Sequence, residues 1–199
     1  MGTDREKEKT AYYLLNEYVR KGNPKSRSRI FIVHRLDRDT SGVLVFAKSE
    51  EAKRFLQGEW PRFEKKYAAV VHGSLFKKEG MITSYLAENS IHRMYSTADP
   101  EQGKLAKTRY RVLKESKKFS LLEIELLTGR RNQIRVHLAD EGYPVAGDDM
   151  YGNREKDKSI KRLMLHAASL TLEHPFTKEK MTFEAKVPSY FDFLLKMKE

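Results

Sequence analysis

The chain has 199 residues, of which 34% are charged and 39% hydrophobic, a balance typical of a folded globular protein with a sizeable core. Its formal net charge of +11 favours a polyanionic partner, nucleic acid first and an anionic membrane surface second. Cysteine is absent, which excludes a disulfide framework, a thiolate metal site and a cysteine nucleophile. No apolar run reaches the ~20 residues that a membrane span needs, and the chain does not start with an apolar signal-peptide core. We therefore expect a cytoplasmic protein.

The first thirty residues predict one helix between two polar segments. Residues 1–9 are polar and mixed in charge, and we expect them to be disordered. Apolar side chains recur at helical spacing over residues 10–21, and Gly22 is expected to end this helix. These side chains belong to Ala11, Leu14, Leu15 and Tyr18.

A basic loop follows at residues 20–29. It is either a solvated surface loop or a contact for phosphate, and the residues alone leave both interpretations open. Its candidate RNA-binding residues are Lys25, Arg27 and Arg29.

Short apolar runs separated by turn residues predict strands over most of the remaining chain. Ser49 is predicted to begin a helix that extends to about Trp60, because a serine suits the N-cap and two acids follow it. Three further helices are predicted over residues 132–140, 161–168 and 190–198. The predicted strands are residues 30–33, 43–47, 67–71, 82–88, 93–97, 108–114, 120–127, 170–173 and 181–186. Hairpin-connected strands with inserted helices predict a mixed, mostly antiparallel α+β domain.

One loop carries a residue pattern that could support catalysis. Residues 33–42, with the sequence VHRLDRDTSG, place the carboxylate of Asp37 between Arg35 and Arg38. Nearby cations hold a carboxylate in its ionised form, and an ionised aspartate can act as a nucleophile or a base. On the residues alone, the same pattern also fits a surface ion-pair network.

Three segments, in this order, resemble the RluA-type RNA pseudouridine synthases. They are HRLDRDTSG at 34–42, KKYAAVVHG at 65–73 and LTGRRNQIRVHL at 127–138. The resemblance extends from about residue 10 to residue 188. It implies the pseudouridine synthase fold, with a mixed, mostly antiparallel central sheet and a catalytic cleft between two halves. We accordingly expect one catalytic domain over residues 1–199, without a separate RNA-binding domain.

The resemblance also implies roles for individual residues. Asp37 would be the catalytic nucleophile, and Arg135 would pair with it instead of remaining an exposed helix charge. Tyr67 would stack on the target base instead of serving only the core, and Leu165 would either close the other side of the pocket or simply pack in the core. The further RNA-binding candidates are Arg35, Arg38, Arg130 and Arg131. The chain departs from the family pattern at Asn132, where the family usually has histidine, so a possible titrating group is missing there.

The implied activity is the isomerisation of a flipped uridine in structured ribosomal or transfer RNA. We expect RNA as the partner, a monomeric protein, and no cofactor, metal or membrane. One alternative is an RNA-binding protein on the same fold with little or no catalysis. A carboxylate glycosidase would need a second acid at a set separation, and the sequence shows no clear one.

Overall fold

A computed structural model describes residues 10–23, 25–152, 155 and 157–196. The chain divides into two compact units. The small unit comprises the described part of residues 1–35 together with residues 44–60 and 173–180. The large unit comprises residues 36–43 and 61–172 and the described part of residues 181–199. The disorder predicted for residues 1–9 and the last two residues of the helix predicted over 190–198 lie outside the described residues.

The small unit contains helix α1, Ala11–Arg20, which confirms the first predicted helix. The Thr10 hydroxyl caps it by accepting the Tyr13 N–H, and Lys21 ends it in the left-handed conformation, one residue before the predicted Gly22. The apolar side chains of α1 are largely exposed, whereas Asn16 is buried. Its side-chain oxygen accepts the N–H of Ile30 at 3.0 Å, so a polar contact fixes this helix.

Two short strands and a second helix complete the small unit. Strand β1, Phe31–Ile32, pairs antiparallel with β3, Phe46–Ala47. Helix α2, Glu50–Glu59, begins at Ser49, whose hydroxyl accepts the N–H of Ala52 at 3.1 Å. The predicted N-cap is therefore confirmed, and a 3-10 turn at Trp60–Arg62 follows the helix.

Within the described residues, eight strands form one sheet, in the order β10-β9-β4-β8-β7-β5-β6, with β2 added parallel to β9. Strand β4 pairs antiparallel with β8 and β9, β5 with β6 and β7, and β7 with β8. The predicted strands over residues 108–114 and 120–127 are confirmed as the antiparallel pair β7 and β8. The strands are β2, Ser41–Gly42; β4, Glu64–His72; β5, Glu79–Glu88; β6, Met94–Thr97; β7, Lys104–Glu115; β8, Phe119–Leu126; β9, Leu165–Glu173; and β10, Lys180–Glu184.

Two predictions are wrong. Residues 161–168 do not form a helix, because β9 begins at Leu165 and pairs with the central strand β4. A short apolar run fits a buried helix and a buried strand equally well, which explains the error. The strand predicted over residues 43–47 is wrong for residues 43–45, which form no strand: β2 ends at Gly42, and only Phe46–Ala47 of the predicted range form a strand, β3.

The core of the large unit lies on the central strands. In β4 and β8, Ala69, Val70, Val71, Leu122 and Ile124 are fully buried. Helix α3, Gln133–Asp140, packs against β5, β6 and β7, and helix α4, Ser189–Lys196, packs against β8. Both helices were predicted. Among the described residues, no helix has the length and apolar character to cross a membrane.

Candidate active site

The loop that carries Asp37, residues 36–43, is fastened to strand β9. Ser41 and Gly42 are the register partners of His166 and Ala167. The Ser41 hydroxyl lies 2.8 Å from His166 Nδ1, and the Val43 N–H donates to the Ala167 carbonyl at 2.9 Å. Gly42 has φ +114°, and a Cβ at this position would overlap the Ala167 carbonyl. Glycine is therefore required where the loop meets the sheet.

The carboxylate of Asp37 is held by one of its two oxygens. Oδ2 accepts a hydrogen bond from Asn132 Nδ2 at 2.6 Å and a longer one from Arg135 Nη1 at 3.4 Å. Oδ1 receives no hydrogen bond from any described residue. The side chain of Asp37 is 23% exposed. One oxygen is thus fixed by the protein while the other remains available to a substrate.

Arg135 lies on α3 and is only 6% exposed, so the alternative of an exposed helix charge is wrong. Its main partner is Asp148: Nε and Nη2 each donate to one carboxylate oxygen at 2.7 Å. Its guanidinium carbon also lies 5.2 Å from the centre of the Tyr151 ring. Burial alone would lower the pKa of Arg135, but the hydrogen bonds and charge of Asp148, with a smaller contribution from Asp37, raise it above its usual value. Arg135 is therefore a fixed cation.

Asp148 is fully buried, and its carboxylate accepts hydrogen bonds both from the Arg135 guanidinium and from the backbone. Besides holding Arg135, its Oδ1 accepts the backbone N–H groups of Met150 and Tyr151, both at 2.9 Å. These bonds fix the turn that follows Asp148 and thereby fix the carboxylate itself. A buried carboxylate needs such compensation, because burial without partners is costly.

Tyr67 and Leu165 lie on the same face of two paired strands. Tyr67 on β4 is the partner of Ala167 on β9, and Ala69 is the partner of Leu165 two positions away. Burial raises the pKa of Tyr67 to about 12, and the negative charge of Asp37 adds to the effect. The Tyr67 phenol is therefore neutral near pH 7. Leu165 is 3% exposed and belongs to the core cluster, and its role at the pocket stays a prediction.

The candidate RNA-binding residues fall into two groups. In the large unit, Arg38, Arg130 and Arg131 are exposed, and the last two line a surface cavity of about 650 Å³. Arg131 donates to Glu88 at 2.6 Å, and Arg130 Nε donates to the carbonyl of Leu105 at 3.0 Å. In the small unit, the exposed candidates are Lys25, Arg27, Arg29 and Arg35.

The structure thus assembles Asp37, Arg135 and Tyr67 in the large unit and adds two residues that the sequence analysis did not assign to the site. Asn132 had been noted only as a departure from the family pattern, and Asp148 had not been considered. Two adjacent acids in an otherwise apolar and glycine-containing turn are a weak signal of a buried ion pair. Among the described residues, no group of three or more His, Asp or Glu side chains is arranged to hold a metal ion.

Comparison with known proteins identifies the class. The family model described as RNA pseudouridylate synthase matches residues 3–140. An uncharacterized RNA pseudouridine synthase of Chloroflexus aurantiacus is 41% identical over 83% of this chain and 52% of its own length. The ribosomal large subunit pseudouridine synthase D of Nitrosomonas europaea is 40% identical over 84% of this chain and 51% of its own length. The chain belongs to the RNA pseudouridylate synthase family, and within it to the RluA type.

A solved structure supports the same fold. The human RNA pseudouridylate synthase domain containing 1 superposes with a TM-score of 0.72 at 28% identity, covering 86% of this chain and 73% of that one. The predicted family and the mixed, mostly antiparallel α+β fold are confirmed. The chain spans about half the length of the curated relatives it matches.

Proposed function

We propose that this chain catalyses the isomerisation of a uridine in RNA to pseudouridine, with Asp37 as the nucleophile. In this reaction the bond from N1 to C1′ breaks and a bond from C5 to C1′ forms. C5 loses a proton and N1 gains one, so the reaction needs no oxidant or reductant. The observation that carries the proposal is the carboxylate of Asp37, partly exposed, held through Oδ2 and unengaged at Oδ1.

The neighbours of Asp37 suit this chemistry. The fixed cation of Arg135 lies 3.4 Å from Asp37 Oδ2 and interacts favourably with the negative charge of the carboxylate. The neutral ring of Tyr67 offers a face on which a pyrimidine can stack, an interaction worth ~1–3 kcal/mol per base. The geometry is compatible with attack on C1′ of the sugar and with attack on C6 of the base, and both routes require the same free carboxylate oxygen.

Large-subunit ribosomal RNA is the substrate class that we favour, because the relatives from Nitrosomonas europaea and Vibrio cholerae are named ribosomal large subunit pseudouridine synthases. Transfer RNA is the alternative. The target uridine must leave its base stack to reach Asp37, so an unpaired loop is the expected context. The net charge of +11 supplies affinity for the phosphates, and we expect the chain to act as a monomer.

Tritium release from RNA labelled at uridine C5 tests the proposal, since that hydrogen is lost when C5 joins the sugar. The wild-type chain is expected to release tritium from a large-subunit ribosomal RNA fragment, and Asp37→Asn is expected to release none. Asp39→Asn is the matched control: Asp39 is an exposed acid in the same loop, and its variant should retain activity. RNA binding without release by the wild-type chain would favour the non-catalytic alternative. Release by Asp37→Asn would refute the assigned nucleophile.

A further inference from the structure

Asn132 occupies an unusual place at the start of α3. It stands at the N-cap of the helix with φ 50° and ψ 18°, in the left-handed region, and its side chain makes no capping hydrogen bond. An asparagine at an N-cap normally accepts a backbone N–H of the first turn. The side chain of Asn132 therefore does not cap α3.

That side chain is directed to Asp37. Asn132 is 9% exposed, and its amide nitrogen lies 2.6 Å from Asp37 Oδ2. Because a carboxylate only accepts hydrogen bonds, the amide must present its nitrogen to Asp37. This bond is 0.8 Å shorter than the contact between Arg135 and the same oxygen, and Arg135 makes its two short bonds to Asp148. The amide, not the guanidinium, is the closest donor to the nucleophile.

We propose that Asn132 is the principal positioning residue for Asp37, a role that rests on the proposed function. Its amide fixes Oδ2 and thereby turns Oδ1 toward the substrate. The left-handed backbone at residue 132 is part of the arrangement, since asparagine tolerates this conformation better than most residues that carry a side-chain donor. An amide is also neutral at every working pH, so this bond orients the carboxylate without adding a titrating group.

Three variants at position 132 test the proposal by steady-state tritium release, with kcat and KM measured separately. Asn132→Gly keeps the left-handed backbone and removes the donor, so kcat should fall ~10- to 100-fold while KM for RNA changes little. Asn132→Asp keeps the shape but opposes a second carboxylate to Asp37, so kcat should fall at least as far. Asn132→His restores an N–H donor at a position that tolerates positive φ and should recover much of the lost kcat.

The control is Lys178→Gly, a second exchange at an exposed left-handed residue, which should leave both kinetic constants unchanged. Wild-type kcat in Asn132→Gly or Asn132→Asp would overturn the proposal. So would a fall in kcat that Asn132→His does not relieve and that accompanies a large fall in Tm, because that pattern indicates a purely structural role.

A readout without substrate separates this proposal from the proposed function. The side-chain amide resonances of Asn132, assigned by their loss in Asn132→Gly, should shift in Asp37→Ala because their carboxylate acceptor is gone. If they shift while the wild-type chain releases no tritium, the contact exists but the proposed function fails. If they do not shift, the positioning proposal fails whatever the activity.

Discussion

Replacing Asp148 by alanine should destabilise the large unit strongly. Asp148 and Arg135 form a bidentate pair with two bonds of 2.7 Å, and their side chains are 0% and 7% exposed. Asp148→Ala leaves the guanidinium buried and without its main partner, an arrangement that costs about 3–5 kcal/mol. The N–H groups of Met150 and Tyr151 also lose their acceptor, which places the expected value toward the upper end of that range.

Urea and thermal unfolding measure this loss. For a chain of this size, 3–5 kcal/mol corresponds to a fall in Tm of roughly 6–20 °C. Asp149→Ala is the matched control, because Asp149 is the adjacent acid, lies 3.9 Å from the same guanidinium and is 74% exposed. An exposed pair contributes about 0–1 kcal/mol, so Asp149→Ala should change Tm by a few degrees at most.

A double variant tests the cause. In the Arg135→Met, Asp148→Ala protein the unpaired cation is gone, so part of the stability lost in Asp148→Ala should return. The reasoning is refuted if Asp148→Ala costs no more than Asp149→Ala, or if the double variant is as unstable as the sum of the two single changes. Either result would mean that the pair does not compensate the buried charge of Arg135.

Four further predictions concern His137, Gly42, Tyr67 and the net charge. Burial lowers the pKa of His137 from 6.5 to about 4, so as the pH falls the unfolded state binds the proton before the folded state does. The free energy of unfolding should therefore decrease by up to about 3 kcal/mol as the pH falls from 6.5 toward 4. In urea unfolding at a series of pH values, His137→Gln should lack this pH-dependent decrease. Gly42→Ala should abolish tritium release, because the added Cβ displaces the Asp37 loop from Ala167; normal release would contradict the required close approach. Tyr67→Phe retains the aromatic face and should bind RNA within a fewfold of wild type in a filter-binding assay, whereas a large loss would assign the hydroxyl a binding role. RNA affinity should fall steeply as the salt concentration rises. If a plot of the logarithm of the association constant against the logarithm of the salt concentration is flat, the net charge of +11 does not contribute to RNA binding.

Local signals in the sequence predicted much of the fold. Ser49 followed by two acids predicted the start of α2. The alternation of apolar and polar residues over 120–127 predicted β8. Both patterns involve only residues that are close together in the sequence. The start of β9 was predicted wrongly because no such local pattern is present there. Leu163, Met164 and Leu165 are all buried, so no alternation of polar and apolar side chains distinguishes a strand from a helix there.

The site was predictable only where a short motif carries it. Asp37 lies in a loop whose residues resemble a known family, and Tyr67 and Arg135 lie in two more such segments. The contact between Asn132 and Asp37 joins residues 95 positions apart. A side-chain hydrogen bond at that separation leaves no periodicity in the sequence, so only the folded chain shows it.

The contacts around Asp37 orient its carboxylate and still leave one oxygen free, which a bidentate ion pair with arginine would not do. A carboxylate locked in a short bidentate pair with arginine is well oriented, but both oxygens and most of its charge are then committed to the partner. Here Asp148 takes the two short bonds of Arg135, and Asp37 receives only the 3.4 Å contact. The neutral amide of Asn132 supplies the short bond that orients Asp37. Charge stabilisation and orientation therefore come from different residues, and the free oxygen Oδ1 retains the electron density that a nucleophile needs.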